Sequence, residues 1–189
     1  MFIKVCGMLD EKQISELSPF IDATGFIFHA KSDRFCTKKV SSNGLLRVGV
    51  FVNKTIKEIK IGESAFQKKV ITEHDIELFG EVTNDYNPAH FDAEYAAGTM
   101  FKKRIAHGML VGSLFSKVFG MDLPGKGAIY VGQTLKFKRP VYFGDKIKAE
   151  VIVREKNIER NRVYFDCVAT NQNGDVVIVG EAELMPVKG

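Results

Sequence analysis

The sequence has 189 residues, 45% of them hydrophobic and 26% charged, which suffices for one sizeable core or for one domain with a smaller appendage. No apolar run reaches the roughly 18 residues of a membrane span, and the opening MFIKVCGMLDEKQ is broken by Lys4 and then turns acidic, unlike a secretory signal; no membrane partner is expected, and the cytoplasm is the expected address. The formal charge of +4 is spread thinly, with eight Lys/Arg against five Asp/Glu in residues 1–54 and nineteen against eighteen in residues 55–189, and without Trp or a basic stripe it argues against a nucleic-acid partner.

From the N-terminus, IKVC, TGFIF and RVGVFV read as short strands, with LDEKQISELSPFID as a helical stretch between the first two. Cys6, Cys36 and Cys167 lie far apart, a spacing that suits neither zinc nor a disulfide framework, so free thiols and no structural metal are expected. In VITEHDIELFGEVT, Thr72 can cap a helix carrying Ile76, Phe79 and Val82 at helical spacing. That helix leads into EVTNDYNPAHFD, where Asp85 precedes His90 by five residues. On one helix those side chains would diverge by about 140°. Pro88 lacks an N–H and pushes Asn87 to extended angles, so the segment reads as a rigid loop, which can bring the two together. An acid and a histidine facing one cavity are equipped to move a proton on a small molecule, although Asp and Asn are also ordinary turn residues.

After FKKRIAHG comes AHGMLVGSLFSKVFGMDLPG, residues 106–125, apolar on nearly every side and expected to be a helix buried by the sheet. The first N–H groups of such a helix have no internal partner, and Gly108 stands at its start, where a carbonyl oxygen gaining negative charge could be held. GAIYVGQTLKFKRPV reads as a long strand ending at Pro140. GDKIKAEVIVREKN alternates Ile147, Ala149, Val151 and Val153 with charged residues, the mark of a half-buried strand. NRVYFDCVATNQ and DVVIVGEAELMPV follow, joined through Asn173-Gly174 as an antiparallel hairpin. The expected architecture is an α+β fold in which a mostly antiparallel sheet curls round a central helix.

The strings NDYNPAHFDAEYA, RIAHGMLVGSLFSKVFG, PGKGAIYVGQTLKFKRPVYFGD and NQNGDVVIVGEA, in that order, resemble the MaoC-like (R)-specific enoyl-CoA hydratases over residues 60–187. The resemblance implies a hot-dog fold for residues 55–189 and a reversible syn addition of water to a trans-2-enoyl-CoA, giving the (R)-3-hydroxyacyl-CoA. It matches Asp85 and His90 to the family's catalytic acid and histidine, and Gly108 to the glycine whose N–H binds the thioester carbonyl. Ser116 matches a serine close to the dyad in a relative. His90 is then the expected base and Asp85 positions the water; which of the two returns the proton stays open. Lys102, Lys103 and Arg104 are expected to meet coenzyme A phosphates. The reaction implies an acyl-CoA substrate, no cofactor and no metal, and the family implies a homodimer. One departure is Asn84, where the family usually has glycine before the acid; asparagine tolerates left-handed angles. A non-catalytic acyl-thioester-binding module and a hot-dog thioesterase are the alternatives.

Residues 3–54 resemble the opening of phosphoribosylanthranilate isomerase, through IKVCGM, TGFIFHAKSDRF and RVGVFVNKT, with Cys6 at the position of that family's catalytic cysteine. Three strands cannot close an eight-stranded barrel, so residues 1–54 are expected to be a β/α fragment of an incomplete (β/α)8 barrel without isomerase activity. A protein starting near Lys57 is expected to fold and to hydrate alone.

Overall fold

The computed structural model describes residues 54–188 throughout and, before them, the backbone of three strands: β1 (Lys4–Cys6), β2 (Ala23–Ile27) and β3 (Leu46–Val50). The helical stretch expected at LDEKQISELSPFID and Cys36 lie outside the described residues. The chain divides into two compact units, Met1–Val52 and Asn53–Gly189. In the first, the three strands pair in parallel in the order β1-β2-β3, with Lys4 opposite Ala23 and Ala23 opposite Leu46.

Among the described residues, the second unit is one five-stranded antiparallel sheet and four helices. Its strands are β4 (Ser64–Val70), β5 (Ile129–Phe137), β6 (Lys146–Asn157), β7 (Arg162–Thr170) and β8 (Val176–Met185), in the order β4-β6-β7-β8-β5. The inward face of β6 is Ile147, Ala149, Val151 and Val153, as the alternation requires, and β7 buries Val163, Phe165, Cys167 and Ala169 in the same way. The β7–β8 hairpin turns at Gly174 (φ +82°), and the Asn171 side chain accepts from the Asn173 and Asp175 N–H groups. At Gly180 a side chain is impossible, because its Cβ would lie 1.9 Å from the Thr134 carbonyl oxygen on β5. Strand β4 adds a fifth member that alternation does not announce. Its inward residues are Ala65, Gln67 and Lys69, and Gln67 is tolerated there because its amide donates to the Leu114 carbonyl of the helix above.

The helices are α1 (Glu73–Thr83), α2 (Pro88–Phe91), α3 (Ala93–Gly98) and α4 (Gly108–Met121). Thr72 caps α1 in a full capping box with Asp75. Ile76 and Gly80 are its buried positions, whereas Val82, expected on the same face, is 82% exposed; Gly80 has its place because Phe91 packs where a Cβ would stand. The central helix α4 packs Val111, Leu114, Phe115, Val118 and Phe119 onto the concave face of the sheet, with Phe119 edge-on to Phe165 at 5.0 Å. Contrary to the all-round burial expected, the opposite stripe of Met109, Ser113, Ser116 and Lys117 is exposed, since a single sheet covers only one side of a helix. This antiparallel sheet on one long helix is the hot-dog arrangement. Among the described residues no helix is long and apolar enough to cross a membrane.

Candidate active site

Helix α1 ends at Asn84, whose backbone is left-handed (φ 57°, ψ 23°), so asparagine supplies the turn for which glycine was expected. The chain then reverses through Asp85, whose carboxylate Oδ1 accepts the Asn87 N–H at 3.2 Å, while the Asn87 side chain accepts from Ala89 and caps α2. The reading of the segment after Val82 as loop throughout is corrected here. Pro88 opens a four-residue helical turn that contains His90. A proline costs nothing at the first helical position, where no N–H would be paired.

His90 is clipped to the strand-like segment at Ile105 in both directions. The Ile105 N–H donates to the Ala89 carbonyl at 3.2 Å, and the His90 Nδ1 lies 2.8 Å from the Ile105 carbonyl. A carbonyl only accepts, so Nδ1 carries the hydrogen and Nε2 keeps its lone pair. Burial pushes the imidazole below its ordinary 6.5; the Ile105 bond opposes this, the neighbouring His107 adds to it and Asp85 opposes it. His90 is therefore a neutral base at pH 7.

His107 precedes α4. Its Nε2 donates to the Asp85 main-chain carbonyl at 3.0 Å, and its ring lies 3.9 Å from that of His90. One polar atom each of Asp85, His90 and His107 lie within 4.8 Å of one another. Two hydrogen bonds of about 2.8 Å meeting at one water span roughly 4.6 Å, so the Asp85 carboxylate and the His90 imidazole are close enough to share a water, whereas the His107 Nε2–H is already spent on the Asp85 carbonyl. Gly108 follows. The first helical bond of α4 is Val111 N–H to the His107 carbonyl at 3.3 Å, so the N–H groups of Gly108, Met109 and Leu110 precede the bonded ladder. A Cβ on Gly108 would lie 2.9 Å from the Phe137 ring on β5.

Asp85, His90, His107 and Gly108 line one cavity of about 770 Å³, whose other walls include Phe79, Met100, Phe101, Phe137, Val141 and Ile178. The walls are mostly apolar, with Asp85, His90 and His107 grouped together and Lys138 and Arg139 also on the lining, as in a site for an acyl chain with one reacting end. Of the expected site residues, Asp85, His90 and Gly108 come together. Ser116 is two turns along α4 on its exposed stripe and does not line the cavity. Lys102, Lys103 and Arg104 line a second cavity of about 710 Å³ with Ala93, Phe101, Tyr142 and Phe143, and Phe101 borders both. Arg104 is already occupied by Glu73, the Phe91 carbonyl and the face of Phe143. The apolar walls come from α1, the 100–106 segment, α4, β5, the 138–141 segment and β8, and nothing in the residue types marks them as walls of one cavity; the helical spacing of Phe79 was one signal. His107 stands in the AHG string, but its bond to Asp85 joins residues 22 apart and leaves no trace in spacing.

The pattern that defines the MaoC like domain matches residues 55–173, well over half of the chain. An (R)-specific enoyl-CoA hydratase of Rhodospirillum rubrum is 50% identical over 133 residues, spanning 70% of this chain and 92% of the relative. A mitochondrial 3-hydroxyacyl-(acyl-carrier-protein) dehydratase of Arabidopsis thaliana is 38% identical over 150 residues, spanning 77% of this chain and 89% of the relative. Among solved structures, the unliganded R-hydratase PhaJ1 from Pseudomonas aeruginosa superposes with a TM-score of 0.69 at 47% identity, covering 72% of this chain and 88% of that one.

Proposed function

The chain belongs to the MaoC-like domain family, and we propose that it is an (R)-specific enoyl-CoA hydratase in which Asp85 and His90 handle one water and Gly108 binds the thioester oxygen. The observation that carries this is the convergence of a carboxylate, a neutral imidazole and the unpaired N-terminus of α4 on one apolar cavity. Asp85 accepts a hydrogen bond from the water, and His90 Nε2 removes its other proton as the oxygen bonds to the β-carbon. The electron pair of the double bond moves onto the thioester oxygen, where the Gly108 N–H meets the developing charge. The proton taken from water then returns through the dyad to the α-carbon on the same face. The thioester comes back, with one water added and nothing oxidised or reduced, so we assign no metal or redox cofactor to the reaction.

The test follows the loss of enoyl-thioester absorbance with crotonyl-CoA. Asp85→Asn and His90→Ala each lower turnover by roughly 10²–10⁴, the usual size of an acid–base contribution. Near-wild-type turnover by either variant would remove the dyad from the mechanism. A thiol reagent in a parallel assay identifies a thioesterase by release of free CoA. Saturable binding without turnover would identify a carrier of acyl thioesters, a reading favoured only by Asn84, and the left-handed backbone of that residue keeps the turn intact.

Further parts of the reading follow from the same chemistry. Lys102 and Lys103 are exposed beside a cavity that borders the first through Phe101, the charge and place suited to the phosphates of coenzyme A. Strand β5 is paired only with β8 among the described residues and exposes Ile129, Val131 and Phe137, so its open edge is assigned to a second copy of the chain, giving a homodimer. The cytoplasm is assigned as its compartment. Residues 1–54 are assigned to a phosphoribosylanthranilate isomerase-like β/α fragment of an incomplete barrel, with no isomerase activity for Cys6.

A further inference from the structure

His107 has no part in the reaction as written, yet it is the only buried polar or charged side chain among the described residues, 2% exposed. Its Nε2–H is spent on the Asp85 carbonyl, and its Nδ1 is buried with no hydrogen-bond partner. The rings of Phe79 and Phe91, at 4.9 and 5.8 Å, enclose it on the sides not taken by His90. A phenylalanine would fill the same aromatic cluster without burying an unsatisfied nitrogen. Packing alone therefore does not account for a histidine at this position.

What the imidazole adds is a set of links between three separate segments. Its N–H holds the main chain of the acid, its face rests on the base at 3.9 Å, and its own carbonyl begins the α4 ladder, with Gly108 the next residue. We propose that His107 is a positioning residue for hydration, holding the Asp85 carboxylate, the His90 base and the Gly108 N–H in one frame. This rests on the hydratase reading above. Asp85 has an exposed side chain on a four-residue reversal, so without His107 nothing else among the described residues ties its carbonyl down.

The ring also bears on the electrostatics of the base, after burial and the Ile105 hydrogen bond. The charged or titratable neighbours acting on His90 are His107 and Asp85, and His107 opposes protonation of His90. The experiment compares His107→Phe, which keeps a ring, with His107→Gln, which keeps an N–H able to reach the Asp85 carbonyl. Both are measured for kcat, KM and the pH profile of kcat/KM with crotonyl-CoA, beside circular dichroism.

His107→Phe is expected to lose roughly 10²-fold in kcat, as a misplacement of about 1 Å does, with KM little changed. His107→Gln recovers most of that loss. In both, the acid limb of kcat/KM moves to higher pH, because the neighbour that opposed protonation of His90 is gone. A purely structural role would lower the melting temperature and leave the pH limb where it was. A folded His107→Phe with wild-type kcat and an unmoved limb overturns the proposal, as does a His107→Gln no better than His107→Phe. If His107→Phe does not fold, the limb of His107→Gln decides: moved, it supports the role; unmoved, it overturns it. A wild-type chain that leaves crotonyl-CoA unhydrated overturns the hydratase reading first, whereas failure confined to the variants overturns the His107 role alone.

Discussion

Burial and a single hydrogen bond give His90 its chemical character. Nδ1 is spent on the Ile105 carbonyl, and burial holds the ring below the ordinary 6.5. The unfolded chain, with its histidine near 6.5, binds more protons than the folded one as the pH drops below that value. His90 therefore contributes stability that is present above about pH 6.5 and is lost as pH falls toward its lower folded value. Activity follows the same sign: the base is competent when neutral, so kcat/KM for crotonyl-CoA is expected to be flat down to about pH 6.5 and to fall only below it. An acid limb above pH 7 in the wild-type profile would show that a different group acts as base. Cys167 illustrates the opposite outcome of burial, its thiol pushed up to about 12 and so inert as a nucleophile.

Helix α4 and strand β5 are the elements whose sequence and surroundings disagree most. The helix is apolar enough to be covered all round, yet the sheet takes only the stripe from Val111 to Phe119 and leaves Met109, 58% exposed, beside the cavity. The strand is paired on one edge only and leaves Val131, at its bulge, 44% exposed. Such an edge invites another strand, and natural proteins that must stay apart place lysine there. For the homodimer proposed above, Val131→Lys is expected to turn a dimer into a monomer by light scattering, because pairing at this edge would enclose a lysine from each copy. A Val131→Lys protein that remains dimeric would move the interface away from β5.

Residues of the whole chain contribute unequally to the hydratase unit. Ile56 and Ile59 belong to its core, the Lys54 N–H donates to the Pro124 carbonyl, and Lys156 reaches the carbonyls of both isoleucines. A protein begun near Lys57 would lose Ile56 and Lys54, so the truncation that keeps the unit whole begins at Asn53. It is expected to melt cooperatively and to hydrate crotonyl-CoA at a rate close to that of the full chain; loss of activity on this deletion would make residues 1–52 an integral part of the enzyme. Much of the unit is legible locally. Period-two alternation marks β6, Asn173-Gly174 marks the hairpin, Thr72 marks the start of α1, and Asp85, His90 and Gly108 stand out by residue type and place. These signals are readable because burial and turn geometry act on neighbours within a few residues. Tertiary structure alone decided the rest: that β4 could turn Gln67 inward because Leu114 offers a carbonyl, that Ile105 would choose the tautomer of a histidine 15 residues away, and that His107 would hold the main chain of Asp85. Those contacts depend on how a curved sheet brings distant segments to the same end of one helix, and no spacing along the chain encodes that distance.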